Sequence, residues 1–218
     1  MKRSLPILLA ILATLTPVTS YAAFSVNVDL VDADIGELLL LGAAALFFDL
    51  DTQVNLEYSN ETQSATTSIS LYYISGETQN TPEIIMADKK KLSGWGALAK
   101  GKIPPGLAKK WGLDPDFSAK DDSEIERQLT VYFLSSYYDI PQKDITLWID
   151  KGLPLQDIAV CINLATKIQI NPSTIIELRL KGQNWSQIST KYNLTLEDLK
   201  EPVNTKKKHD KKLPKKSK

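Results

Sequence analysis

The strongest constraint on the fold lies between residues 140 and 192, where the punctuation of one segment recurs 30 residues later. Ile140, Ile145, Lys151, Gly152 and Ile158 match Ile170, Ile175, Lys181, Gly182 and Ile188, with Trp148 opposite Leu178. Each copy reads as helix, glycine stop, helix: 142–151 then 154–167, and 172–181 then 184–192. Gly152 and Gly182 stand where a helix end favours left-handed backbone, and Pro154 and Pro172 stand where a first-turn proline is tolerated. The matched stops predict a duplicated helical hairpin. Just upstream, Ser123 and Glu126 predict a capping box before Ile125, Leu129, Tyr132 and Phe133, which share one helical face. That helix is expected to stop before Ile140-Pro141, because the residue preceding a proline is pushed out of the helical region. A last short helix is expected from Thr195, with Leu196 and Leu199 facing inward.

The first half patterns differently. Phe24, Val26, Val28 and Leu30 alternate with polar residues, as do Val54, Leu56 and Tyr58, and Ile69, Leu71 and Tyr73, each the period of a half-buried strand. Between the first two lies an almost continuous apolar run, Ile35–Phe48, rich in Leu and Ala and read as one buried helix; it is too short to span a bilayer. The fold class expected is therefore α+β: a small acidic β/α module over 24–75, then a mainly α-helical domain over 121–204 carrying the duplicated hairpin. Residues 76–120, dense in Gly, Pro and Lys, read as a connector, with short helices expected around Gly96–Lys100 and Gly106–Lys110.

The two chain ends carry their own signals. Met1, Lys2 and Arg3 form a basic start, Leu5–Val18 is apolar and interrupted by Pro6 and Pro17, and Ser20-Tyr21-Ala22 sets small residues around a cleavage point. This is the pattern of a secretory signal peptide over 1–23; the other reading is an uncleaved N-terminal anchor. The protein is expected in the periplasm or outside the cell. At the other end, residues 205–218 hold eight lysines and one aspartate and read as a disordered tail.

A formal net charge of zero conceals strong segregation. Residues 24–88 hold eleven acids and no Lys or Arg; 89–110 hold seven lysines and no acid. Such blocks speak to partners and solubility. In the tail, Lys206, Lys207, Lys208, Lys211, Lys212, Lys215, Lys216 and Lys218 are candidates for contact with anionic surfaces. The tail could equally fold back on the acidic N-terminal module, or simply solubilise the chain.

Several chemistries recede on counting. The single histidine, His209, sits in that tail, where a base held rigidly beside a nucleophile is not expected. One Cys and one tail His cannot supply the usual zinc set, and no cofactor is expected. Cys161 lies among Ile158, Ile162 and Ala165 and reads as a buried structural thiol. Asp29, Asp32 and Asp34 are the candidates for a Ca²⁺ site, although their spacing matches no EF-hand, and Asp32 and Asp34 also suit a helix N-terminus. Carboxylate hydrolysis is left open, because acids are plentiful.

Two stretches resemble known sequences. Leu180-Lys181-Gly182-Gln183-Asn184-Trp185 through Leu199 resembles the core of a LysM module, a small glycan-binding domain. That resemblance implies a loop at Gly182 and Gln183 contacting N-acetylglucosamine chains, with Ile188 and Tyr192 on the first helix. Gln183 and Asn184 replace the usual acidic residue and Thr, and a helix-like segment replaces the upstream strand. The same stretch resembles a helix-turn-helix, but an exported protein has no DNA to read. Gly94-Trp95-Gly96-Ala97-Leu98-Ala99, with Trp185-x-x-Ile188, resembles exported bacterial proteins of unknown function that carry Gly-Trp-x-x-Ile-Ala elements at helix starts; the physical reading is a Trp packed across a helical hairpin. The function expected is a non-enzymatic envelope protein that binds or scaffolds another macromolecule. Its rivals are a LysM-like peptidoglycan binder and a carboxylate-dependent hydrolase. The partners in view are cell-wall glycan, an anionic envelope surface or another envelope protein.

Overall fold

The computed structural model describes residues 32–51, 64–115, 117 and 121–214. Among them every regular element is a helix: α1 Asp32–Phe48, α2 Ala65–Thr78, α3 Pro82–Leu92, α4 Trp95–Ala99, α5 Pro105–Lys110, α6 Asp122–Tyr138, α7 Gln142–Asp150, α8 Leu155–Lys167, α9 Pro172–Leu180, α10 Trp185–Lys191 and α11 Leu196–Lys200. The fold is all-α, and the expected α+β class with its N-terminal β/α module is overturned. The first two expected strands lie outside the described residues. The third, Ile69 to Tyr73, is helical.

The reason is visible in the side chains of α2. Its alternation comes from Ser68 and Ser70, which a half-exposed strand would turn to solvent, yet both are buried. The Ser68 hydroxyl donates to the Ser64 carbonyl at 3.0 Å and that of Ser70 to the Thr66 carbonyl at 2.9 Å. Back-bonding of this kind lets a small hydroxyl enter a core on any face of a helix. A polar letter in every second position then marks no solvent face at all.

The apolar run does become a helix. Ile35, Leu39, Leu40, Ala43, Ala44, Phe47 and Phe48 are buried on α1, which packs against α2, α8 and α11. Gly36 permits the closest of these crossings, since a Cβ there would stand 2.4 Å from Gln156 Cβ on α8. The Glu37 carboxylate accepts hydrogen bonds from the Gln156 side-chain amide and from the Ala65 N–H, both at 2.7 Å, tying α1 to α8 and to the start of α2. None of the helices among the described residues is long and apolar enough to cross a membrane.

Within 76–115 three short helices form, α3 to α5. Helix α3 was not expected; Pro82 opens it at a position where its missing N–H costs nothing. Lys89, Lys90 and Lys91 occupy its last turn, where cations suit the dipole. Trp95 then locks the segment onto α6. Its N–H donates to Asp122 Oδ1 at 2.6 Å, its indole N–H to Glu126 Oε1 at 2.7 Å, and Lys89 Nζ sits 4.4 Å from its ring. Gly94, at φ +136°, leaves space for Asp122 to reach that N–H. Residue 123 does not cap α6: the cap is Asp121, whose carboxylate accepts from the Glu124 N–H at 2.9 Å and the Ser123 hydroxyl at 2.7 Å.

The two helical hairpins, α7–α8 and α9–α10, end their first helices alike. Gly152 and Gly182 have φ of +92° and +79°. The next N–H, of Leu153 and of Gln183, donates back to Trp148 and Leu178 at 3.3 and 3.1 Å. A second, glycine-free stop also recurs. Asp139, Gln169 and Asn193 take left-handed backbone, and the N–H of Ile140, Ile170 and Leu194 returns to Ser135, Ala165 and Ser189. Arg179 joins the hairpins by donating to Asp157 on α8 at 2.6 Å and lying 4.3 Å from the Trp185 ring. Thr195 and Asp198 form a capping box on α11. Leu199 is buried there, whereas Leu196 is 52 % exposed rather than inward.

Candidate functional site: a groove beneath a C-terminal strap

Beyond α11 the chain crosses back over α1, α2 and α6 as a strap. Its root is Asn163, a fully buried side chain in the middle of α8. Asn163 Oδ1 accepts from the Val203 N–H at 2.8 Å and the Tyr138 hydroxyl at 3.1 Å, while its Nδ2 donates to the Glu201 carbonyl at 3.0 Å. Tyr137 adds a hydroxyl bond to the Val203 carbonyl at 2.8 Å; burial pushes its phenol up to about 12, which keeps it a neutral donor.

The far end is held by His209. Its N–H donates to the Phe47 carbonyl at 2.7 Å, satisfying one of the orphan carbonyls at the end of α1. Its ring lies 5.1 Å from both Phe48 and Tyr73 and 5.7 Å from Phe47, centroid to centroid. Gly76 lies beside the ring, where an added Cβ would stand in ordinary contact with the imidazole at 3.4 Å. Three ion pairs line the strap: Lys207 with Asp139 at 3.5 Å, Lys208 with Asp49, and Lys211 with Glu77. The Lys208 hydrogen bond, then its charge, holds the Asp49 carboxyl below its ordinary value.

Residues 207–211 thus lie against the body of the protein. The acids of the first half attract them, and the aromatic cluster supplies the apolar contact that a lysine-rich sequence does not advertise.

Between the strap and helices α5 and α6 runs a groove of about 450 Å³. Lys110, Lys207, Lys208 and Lys211 stand around it with Glu77 and Asp210, and Trp111 and Tyr132 form part of its wall. Lys110 Nζ lies 5.8 Å from the Tyr132 ring. Its hydrogen bond to the Tyr132 hydroxyl, then the nearby Tyr132, Asp210 and Glu77, holds its ammonium above its ordinary value. Two basic blocks about a hundred residues apart in sequence therefore meet at one place. Only the convergence of Lys110 with residues 207–211 in space reveals it; no local motif marks Trp111 or Tyr132.

The other candidates fall elsewhere. Lys206 and Lys212 are exposed on the strap, and Lys215, Lys216 and Lys218 lie outside the described residues. Asp32 and Asp34 fall in the first turn of α1, and Asp29 lies outside the described residues. Among the described residues no group of three or more His, Cys, Asp or Glu side chains could hold a metal ion. Gly182 and Gln183 form the turn between α9 and α10, where the Gln183 carbonyl accepts from Arg179 at 2.7 Å. The LysM-like stretch Leu180–Leu199 is flanked by helices and not by strands, and Trp148, Ile158, Trp185 and Ile188 share one buried core. Cys161 is buried, and burial pushes its thiol well up. No family model, curated protein or solved structure matches the chain.

Proposed function

We propose that this is an exported, non-enzymatic binding protein that takes an acidic envelope polymer in the groove beneath its C-terminal strap. The observation that carries the reading is the meeting of Lys110 with Lys207, Lys208 and Lys211 around one cleft. Lys207, Lys208 and Lys211 are already paired with Asp139, Asp49 and Glu77, so a ligand of repeated negative charge binds there by exchanging with these carboxylates. The Lys207–Asp139 and Lys208–Asp49 pairs are exposed on both sides and therefore weakly held, whereas Glu77 of the Lys211 pair is largely buried. A polyanion can replace the first two at little cost. A binding role also suits the fate of the groups most often used in catalysis: the imidazole packs on aromatic rings and the thiol is buried. The glycan-loop reading loses support, because the Gln183 carbonyl is taken by Arg179.

The test is a titration of residues 24–218, which contain every described residue, with dextran sulfate, followed by tryptophan fluorescence. Affinity should fall as salt rises. Reversing one lysine, Lys110→Glu or Lys207→Glu, should weaken binding roughly thirtyfold at about 1 kcal/mol per unit charge. Wild-type affinity in both variants would remove the groove from the function, and binding to chitooligosaccharides but not to dextran sulfate would favour the LysM-like reading.

A further inference from the structure

The surface formed by α3 and the segment after it faces a different kind of partner. Helix α3 buries Ile85 and turns Ile84, Ala87, Lys91 and Leu92 outward at i, i+3, i+7 and i+8, one helical stripe. Ile84 and Leu92 are 48 % and 41 % exposed, two of the few large aliphatic side chains the described protein leaves in water. They sit within the lysine block. Lys90, Lys91, Lys100 and Lys109 are exposed, and none has a carboxylate within ion-pair distance among the described residues. Lys102 folds back onto Asp88 of α3 at 2.9 Å, which draws the segment after α4 alongside the helix and cancels the one acid on that stripe.

Apolar side chains set among unpaired cations have a specific chemical complement. A solvated polyanion would satisfy the ammonium groups and leave Ile84 and Leu92 in water. An anionic phospholipid surface satisfies both, since phosphates meet the lysines while the aliphatic tips enter the acyl boundary. We infer that this face docks the protein onto an anionic phospholipid bilayer, with Ile84 and Leu92 inserted and Lys90, Lys91 and Lys100 on the headgroups. None of these residues lines the groove, so the inference stands apart from the groove reading.

The experiment is co-sedimentation of residues 24–218 with vesicles of phosphatidylcholine alone or mixed with phosphatidylglycerol, over a range of salt. Binding is expected only to the anionic vesicles. The pair Lys90→Gln and Lys91→Gln should weaken it roughly 25-fold, about fivefold per lysine. The pair Ile84→Ser and Leu92→Ser should abolish the part of the binding that survives at high salt. All four positions are exposed, and unchanged circular dichroism and melting verify that each variant is folded. Equal binding to neutral vesicles, or none to anionic ones, would overturn the inference. So would full retention by the Ser pair, which would reduce the contact to charge alone. Dextran sulfate binding should be unaffected by the Ser pair, which separates failure here from failure of the groove.

Discussion

Replacing Asn163 with Leu tests whether one buried amide anchors the strap. The side chain is fully buried and bonded to three groups: the Val203 N–H, the Tyr138 hydroxyl and the Glu201 carbonyl. Leucine has nearly the same volume, so no cavity opens and the cost lies in the partners. Glu201 is exposed and its carbonyl can turn to water. Val203 is half-buried, while burial pushes the Tyr138 phenol well above its ordinary value, and each loses its acceptor. At about 1–3 kcal/mol for an unsatisfied group, and nearer the lower figure for half-buried ones, Asn163→Leu should cost about 3 kcal/mol. For a chain of this size that lowers Tm by roughly 6–12 °C. Urea denaturation measures the cost, and the same substitution in a chain ending at Pro202 isolates the strap. There the Val203 donor is gone, so the penalty should shrink by about 1–2 kcal/mol. Trypsin should also cut the intact variant faster at Lys206 to Lys212. An equal penalty in both backgrounds, with unchanged cleavage, would refute the anchoring role.

Two further outcomes follow from local geometry. Gly36→Ala gains about 1 kcal/mol of helix propensity but sets its Cβ 2.4 Å from Gln156 Cβ and 2.8 Å from the Gln156 carbonyl oxygen. Overpacking against backbone costs about 1–3 kcal/mol, so the urea midpoint should fall; a rise would mean that α1 and α8 do not cross so closely. The strap should also loosen in acid. Asp49 is held below its ordinary value by Lys208, so its contribution is complete above the unfolded carboxylate value of about 4 and is lost as pH falls through the lower folded value. Hydrogen exchange over residues 203–214, corrected for intrinsic rate, should therefore accelerate below about pH 4, and Lys208→Gln should flatten that dependence. An unchanged profile in the variant would place the acid response elsewhere.

Much of the helical architecture was legible wherever punctuation was local. Gly152 and Gly182 could be read as left-handed stops because only glycine enters that region freely, and Pro172 and Thr195 open helices for equally local reasons. The left-handed backbone at Asp139, Gln169 and Asn193 was not legible, since none is a glycine, although the end of α6 itself was expected from Ile140-Pro141. Ser123 was mistaken for the cap because Asp121, two residues earlier, offers the same acceptor chemistry. The third strand failed because alternation was taken for a solvent face, while Ser68 and Ser70 bond their own backbone and need no water.

What the sequence determined by itself was the set of local choices: an apolar run that must be buried, glycine stops that must turn, and charge blocks of opposite sign. Which blocks would meet was decided only in three dimensions. Asn163 and His209 lie far from the groups they bind, and nothing in the spacing of residues announces a buried amide waiting for the Val203 N–H or an aromatic cluster that receives the imidazole. The strap, and with it the groove, exists because long-range packing brings an acidic and aromatic face to the chain end. Short-range preference carries no record of such partners.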